Sequence, residues 1–198
     1  MEPVSTVTGN AIPLNQADVD TDQIIPARHL KRIERTGYGE FAFEHWRQKD
    51  PNFVVNRAEY HGAPILLAGS NFGCGSSREH AVWALQQMGV DAVISTSFAD
   101  IFTNNSAKMG LLLVTLDPAD VAHLMQRAQD DPDAQIAVDL ESQSVSTLDG
   151  WQRSFDIDPF VKHCLLNGLD DIGLTLQYED AIAAHEAQRS NLFPTTKR

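Results

Sequence analysis

With 27 acidic side chains against 15 basic ones, this chain of 198 residues carries a net charge of −12. That balance excludes a duplex-wide nucleic-acid surface, which neutralises phosphates with clustered Lys and Arg. At 42% hydrophobic and 21% charged residues the composition is that of a globular domain, and apolar runs such as Ala63–Ala68 and Gly110–Leu116 are strand-sized, far short of a membrane span.

In chain order, Val4–Leu14 reads as one extended opening segment, closed by Pro13 and the polar Asn15-Gln16. Asp18-Val19-Asp20-Thr21-Asp22 is acidic and turn-forming. From Arg28 to Asn56 periodicity is weak, which predicts loop and short helix anchored by Tyr38, Phe41, Phe43 and Trp46; long segments of this kind are usually functional loops. Pro64–Ala68 predicts a buried strand bounded by Gly62 and Gly69, and Ser77–Met88 a helix ended by Gly89, with Val82, Leu85 and Met88 on one face.

A strand at Ala92–Ser95, a helix at Phe98–Lys108, a strand at Leu111–Leu116 and a helix at Asp117–Gln129 follow. Strand, helix, strand, helix, strand predicts βαβ units and a parallel sheet. Beyond Pro132, Ile136–Leu140, Val145–Leu148 and Trp151–Phe155 read as antiparallel strands with a turn at Leu148–Trp151. Phe160–Ala187 reads as helix interrupted at Gly168–Asp171 and Gly173, and 188–198 as a flexible tail. The expectation is one α/β domain over 1–198, three-layered, with a central parallel sheet, helices on one side and additional antiparallel strands.

The chemistry concentrates in Gly73-Cys74-Gly75-Ser76-Ser77-Arg78-Glu79. A strand, a glycine turn and a helix start make an anion site, because free N–H groups and the helix dipole face the ligand. Arg78 can hold a carboxylate through two parallel hydrogen bonds. Ser76 with Glu79 also fits a capping box, which needs no function; the two readings are compatible. Neither a P-loop nor a GxGxxG fingerprint is present, and a GxSxG elbow is missing, which argues against a hydrolase.

Helix-end electrostatics supply about 1 kcal/mol, up to about 2, against about 1.4 kcal/mol for each pKa unit. The helix alone therefore does not ionise a serine at neutral pH. The basic run Arg28-His29-Leu30-Lys31-Arg32 through Arg35 is either a solvated face or a loop that meets substrate or partner. Cys74 and Cys164 lie far apart without a CxxC pair, which fits a reducing cytoplasm, as does a first segment without a basic or apolar leader. Two thiols do not furnish the Cys-rich ligand set of an iron–sulfur cluster, and no HxxxH spacing supports zinc.

Asn71-Phe72-Gly73-Cys74-Gly75-Ser76-Ser77-Arg78-Glu79-His80-Ala81, followed by Trp83-Ala84-Leu85, resembles the signature of the 3-isopropylmalate dehydratase small-subunit family. The resemblance extends over nearly the whole chain. It includes Asp20-Thr21-Asp22-Gln23-Ile24-Ile25-Pro26-Ala27-Arg28, Arg35-Thr36-Gly37-Tyr38-Gly39, Ser97-Phe98-Ala99-Asp100-Ile101-Phe102 and Leu166-Asn167-Gly168-Leu169-Asp170-Asp171 with the residues after it. His29 stands where an aromatic is commoner, and Val82 and Leu113 stand where prolines are.

The resemblance implies the swivelling β/β/α domain of the aconitase superfamily. It implies a large-subunit partner carrying a [4Fe–4S] cluster, none being bound by this chain, and a hydro-lyase that interconverts 2-isopropylmalate and 3-isopropylmalate through isopropylmaleate in leucine biosynthesis. By motif match Ser76 is the base and Asp22 an active-site aspartate. Gly75, Ser77 and Arg78, with Arg28 and Arg32, are matched to binding of the dicarboxylate substrate, and residues 28–56 to the region that reads its variable substituent. Two alternatives remain open: the small subunit of a homoaconitase or methylmalate (citraconate) hydratase, or a non-catalytic module that binds an organic anion.

Overall fold

The computed structural model describes residues 1–188. The opening segment is not one strand but two, β1 (Thr6–Gly9) and β2 (Ala11–Leu14), which enter different sheets. Asn10 makes the break. Its side-chain amide donates to Glu59 O at 3.0 Å and Pro132 O at 3.1 Å, so the chain is held there by side-chain bonds and changes sheet. Pro13 is tolerated because β2 lies at the edge of its sheet, where a missing N–H need not break a ladder.

The polar turn that follows contains α1 (Thr21–Ile24), a single helical turn. Here the structure builds the capping box: Gln23 N donates to Asp20 Oδ1 at 2.8 Å, and Asp20 N donates to Gln23 Oε1 at 2.9 Å. The weakly periodic region consists of short 3-10 turns, first at Ala27–Lys31, around α2 (Glu44–Lys49). Tyr38 and Phe43 are fully buried, and Phe41 and Trp46 pack against the same core, as their aromatic character predicts.

The centre is a parallel sheet in the order β2-β3-β4-β5, with β3 (Ile65–Ala68), α3 (Glu79–Met88), β4 (Ala92–Ser95), α4 (Asp100–Met109) and β5 (Leu112–Thr115) in chain order. Its strands are apolar on both faces. Leu66 and Val93 enter one core with Val82, Leu85 and Phe102, while Ile65, Leu67 and Ile94 enter the other.

α5 (Pro118–Asp130) corrects the expectation that the helices share one side. Its Val121, Leu124, Met125 and Ala128, spaced i, i+3, i+4 and i+7, pack into the second core, opposite α3 and α4. β5 is the edge strand and α5 does not lead to another parallel strand, so the right-handed crossover rule that keeps α3 and α4 on one face does not bind it.

β6 (Ile136–Asp139), β7 (Ser144–Thr147) and β8 (Gln152–Ser154) form the antiparallel sheet and recruit β1, giving the order β1-β6-β7-β8 with Val7 opposite Val138. Val7, Val138 and Val145 face the second core. The result is the expected layering of antiparallel sheet, parallel sheet and helices. α6 (Pro159–Asn167), α7 (Asp171–Leu176) and α8 (Glu179–Ala187) complete the described chain, and Gly173 lies inside α7 rather than interrupting it. The tail expected at 188–198 lies outside the described residues except for Gln188.

Candidate functional site

The glycine turn between β3 and α3 is shaped by two glycines of positive φ, one of them in a close approach. Gly73 has φ +77°, and a Cβ there would lie 2.2 Å from the Phe102 ring. Gly75 has φ +97°, with only ordinary contacts near a virtual Cβ, at 3.4 Å from Asp20 and Thr21. Gly73 is therefore required for space and conformation, Gly75 for conformation alone.

Bonds from the α1 turn hold this loop. Thr21 N donates to Cys74 O at 2.8 Å, and Thr21 Oγ1 donates to Ser76 O at 2.9 Å. Thr21 is buried, so these bonds tie the turn to the core. Ser76 and Ser77 are exposed, and the only side-chain hydrogen bond of Ser77 among the described residues is from Asn105 Nδ2 at 3.5 Å, the limit of such a bond.

The capping-box reading of Ser76 and Glu79 is not what forms. α3 begins at Glu79, later than the periodicity predicts, with extended Arg78 as its N-cap residue and no side-chain cap. The carbonyl of Ser76 is bonded to Thr21, and Arg78 is drawn the other way, towards α1. Arg78 donates from Nη1 to Asp22 Oδ1, from Nη2 to Asp22 Oδ2 at 2.7 Å, and from Nη1 to Ile25 O at 3.3 Å. Asp22 also accepts from Ala27 N at 3.3 Å.

The Arg78 hydrogen bonds and charge, with the Ala27 amide, hold the Asp22 carboxyl below its ordinary value against a smaller effect of burial. Asp22 is therefore an anion across the neutral range. Among the described residues no acceptor contacts Arg78 Nε. Asp22 takes one Nη1–H and one Nη2–H, so the Nε–H and the second Nη2–H are donors that no described residue uses.

Arg28 and Arg32 lie apart from this pair. Arg28 Nη2 and His29 Nε2 each contact Glu44 Oε2 at 2.5 Å, and the His29 ring stacks on Phe41 with centroids 4.0 Å apart. The imidazole thus packs face to face as an aromatic side chain does. The Arg32 guanidinium lies over Phe41 at 5.1 Å and Tyr38 at 5.6 Å. Neither arginine forms a hydrogen bond or ion pair with the Gly75–Arg78 turn among the described residues. Burial acts to raise the Glu44 carboxyl, but the hydrogen bonds and charges of His29 and Arg28 prevail and leave it below its ordinary value.

Sequence reasoning missed Thr21, Glu44 and Gln87. Gln87 accepts from Tyr38 N and donates to Arg35 O, each at 2.8 Å, so α3 holds the loop that carries Tyr38. A run of cations from Arg28 to Arg35 was a signal that a carboxylate such as Glu44 would be needed; nothing local marks Gln87.

Cys74 sits in the tight turn with its thiol turned to backbone. Its thiol contacts Asp18 O at 3.4 Å, and burial, then the charges of Asp20 and Asp18, push it up. His80 lies against Tyr38 and Trp83, and burial lowers its pKa, so it stays neutral near pH 7 rather than acting as a surface cation.

Residues 1–119 match the family model described as Aconitase C-terminal domain, and residues 122–159 match one described as LeuD_N. Residues 171–198 match the model for the C-terminal domain of the 3-isopropylmalate dehydratase small subunit. A 3-isopropylmalate dehydratase small subunit from Rubrobacter xylanophilus is 55% identical over 98% of each chain. One from Acidothermus cellulolyticus is 54% identical over 100% of this chain and 99% of its own. The solved structure of a 3-isopropylmalate dehydratase from Methanocaldococcus jannaschii superposes with a TM-score of 0.64 at 26% identity, covering 91% of this chain and 99% of that one. With its β/β/α layers, its exposed serine turn and the Arg78 fork beside it, the chain belongs to the 3-isopropylmalate dehydratase small-subunit family, the hydro-lyase components that work with a large subunit.

Proposed function

We propose that this chain supplies the base and the carboxylate clamp of a hydro-lyase that interconverts 2-isopropylmalate and 3-isopropylmalate through isopropylmaleate. The observation that carries the reading is an exposed Ser76 two residues before Arg78, whose guanidinium Asp22 fixes at one end and whose Nε meets no acceptor among the described residues. A malate derivative brings two carboxylates. One of them takes the Nε/Nη2 edge of Arg78, with Ser77 adding a donor, and that places the substrate carbon within reach of Ser76.

In this reading Ser76 takes the proton from carbon in dehydration while the substrate hydroxyl departs as water, a departure that the Lewis acid of the large subunit's cluster would assist, and Ser76 returns the proton to carbon as water adds back in hydration. Asp22 acts as a positioning residue: it is ionised, occupied by Arg78, and a poor proton carrier at neutral pH. Gly75 lets the backbone approach the substrate. Arg28 and Arg32, held by Glu44, Phe41 and Tyr38, present the 28–56 region to the variable substituent.

This chain does not fit a cluster. Its two thiols sit on separate elements, Cys74 in the turn and Cys164 on α6, and burial raises both. Among the described residues no group of three or more His, Cys, Asp or Glu is placed to hold a metal. The [4Fe–4S] cluster of the family is accordingly assigned to the large subunit. No helix among the described residues is long and apolar enough to cross a membrane, and the cytoplasm is the proposed location.

Reconstitution with the large subunit tests the reading. Ser76→Ala should bind the large subunit as the parent does and lose turnover of isopropylmalate by more than about 100-fold, the scale of a positioned acid–base group. Parental turnover in Ser76→Ala would remove Ser76 as the base. Preference for another malate homologue would move the substrate and leave the chemistry.

A further inference from the structure

α8 is a helix of nine residues in which every residue is exposed. Isolated helices shorter than about 12–15 residues are marginal in water, and most helical stability comes from tertiary packing. α8 therefore needs a surface against it. With α7 it displays Ile172 at 70% exposure, Leu176 at 60%, Tyr178 at 66% and Ile182 at 40%, and Phe160 of α6 adds another 60% exposed ring. Exposed apolar groups concentrated on two successive helices mark an interaction site rather than ordinary surface scatter.

The base of this surface is fixed. Leu174, on the inner side of α7, lines a cleft of about 200 Å³ with Ala107, Val161 and Cys164. The Met1 ammonium donates to Gly168 O at 3.4 Å, and Lys108 Nζ meets Asp171 Oδ2 at 2.9 Å. Lys108 belongs to α4, whose Ile101, Asn105 and Lys108 follow i, i+4, i+7 spacing on one helical face. Asn105 contacts Ser77 and Lys108 contacts Asp171, so one helix face joins the serine turn to α7. The rise between Ile101 and Lys108 is roughly 10 Å.

Charge selects the occupant. From Leu169 to Gln188 the chain has Asp170, Asp171, Glu179, Asp180 and Glu186 and no Lys or Arg. A second copy docking through this surface would set acids against acids. The segment also lies beyond the aconitase-domain match, which ends at residue 119, and falls in the match to the C-terminal domain of the small-subunit family.

We propose that α7 and α8 are the docking surface for the large subunit, which meets them with an apolar groove rimmed by Lys and Arg. Docking there would register the partner against the Ser76–Arg78 turn along α4. The inference rests on the proposed function, and a control separates the two. If the parent chain fails to bind the large subunit or to turn over isopropylmalate, that reading fails; if the parent binds and works, the variants judge the docking surface alone.

The test is calorimetric titration of the full chain with purified large subunit, beside thermal unfolding and sedimentation of the chain by itself. Leu176→Asp with Ile182→Asp should weaken binding at least about tenfold, as loss of buried apolar anchors does, without lowering the chain's Tm. Turnover should return when large subunit is saturating. Glu179→Lys with Asp180→Lys should weaken binding too, by less at high salt. Parental affinity in both variants overturns the proposal. So does a lowered Tm with unchanged affinity, which would mean that the chain covers α8 itself, or a dimer of the isolated chain that Leu176→Asp dissolves.

Discussion

Asp22 and Arg78 meet side chain to side chain although 56 residues separate them, the carboxylate receiving both Nη groups of the guanidinium. The contact sets the rotamer of the arginine before any substrate arrives. A clamp prepared in this way spends less binding free energy on ordering a long side chain. Its construction explains why α3 starts at Glu79: Arg78 is held in extended backbone so that its side chain can turn back to α1.

Arg78→Lys should therefore do more than remove a bond to substrate. A lysine keeps the charge but cannot serve Asp22 and a second carboxylate in the same plane. Charge-assisted hydrogen bonds are worth about 1.5–3 kcal/mol each, so kcat/KM of the reconstituted pair should fall by roughly 10- to 100-fold. Steady-state kinetics at saturating large subunit measures it, and a value within about twofold of parental would show that the fork is not used.

Asp22→Asn tests the positioning role. The Asp22 side chain is 57% exposed, so solvent screens the pair and its contribution to folding is at most about 1 kcal/mol. Turnover should suffer by about tenfold or more while Tm scarcely moves, and Asp22→Glu should recover part of the loss. The pH dependence follows from the sign of the shift. The folded carboxyl titrates below its ordinary value of 3.8. The stabilisation is complete above that value and is lost as pH falls through the lower folded one. Between about pH 5 and pH 8 Asp22 does not titrate, so an acid limb of the rate profile in that range should persist in Asp22→Asn.

The contrast between what the sequence pattern revealed and what it hid has a physical basis. The parallel strands were legible because Ile65–Ala68 and Ala92–Ser95 are buried on both faces and bounded by turn residues. The glycine turn was legible because Gly73 and Gly75 need positive φ, which other residues rarely adopt. Local periodicity carries no information about pairs such as Asp22 with Arg78, or Tyr38 with Gln87 at 49 residues, because side-chain geometry across a fold is set by packing. The same limit misplaced α5: its apolar stripe shows that it packs, not on which face of the sheet. The capping box was a true motif read at the wrong address, since Asp20 and Gln23 form one and Ser76 and Glu79 do not.

Glu44→Gln should loosen the loop without touching Ser76. The amide keeps the shape but loses the charge that both Arg28 and His29 contact at one oxygen. Substrate binding should weaken, with KM rising by about tenfold if one charge-assisted contact's worth of order is lost, and kcat changing less. The Glu44 carboxyl sits below its ordinary value of 4.5, so its support of the loop is present above that value and is lost as pH falls through the folded one. KM of the parent should therefore rise at low pH and that of Glu44→Gln should not follow. Parallel curves would place the loop's order elsewhere.

The two glycines of the serine turn should separate stability from turnover. In Gly73→Ala the new methyl would lie 2.2 Å from the Phe102 ring, at a residue whose φ is already +77°. Phe102 is 1% exposed and packs edge-on against Phe72 at 5.4 Å, so it has no space into which to move. Overpacking of this kind costs about 1–3 kcal/mol, and left-handed backbone adds about 1–2 kcal/mol for an L residue. Gly75→Ala meets only contacts at 3.4 Å and carries the backbone cost alone. Thermal unfolding should thus rank Gly73→Ala below Gly75→Ala, and both below the parent. Turnover should be lost in Gly75→Ala as well, because the strain is relieved by moving the next residue, Ser76. Were Gly75→Ala to retain parental kcat, the position of the serine would not depend on that turn.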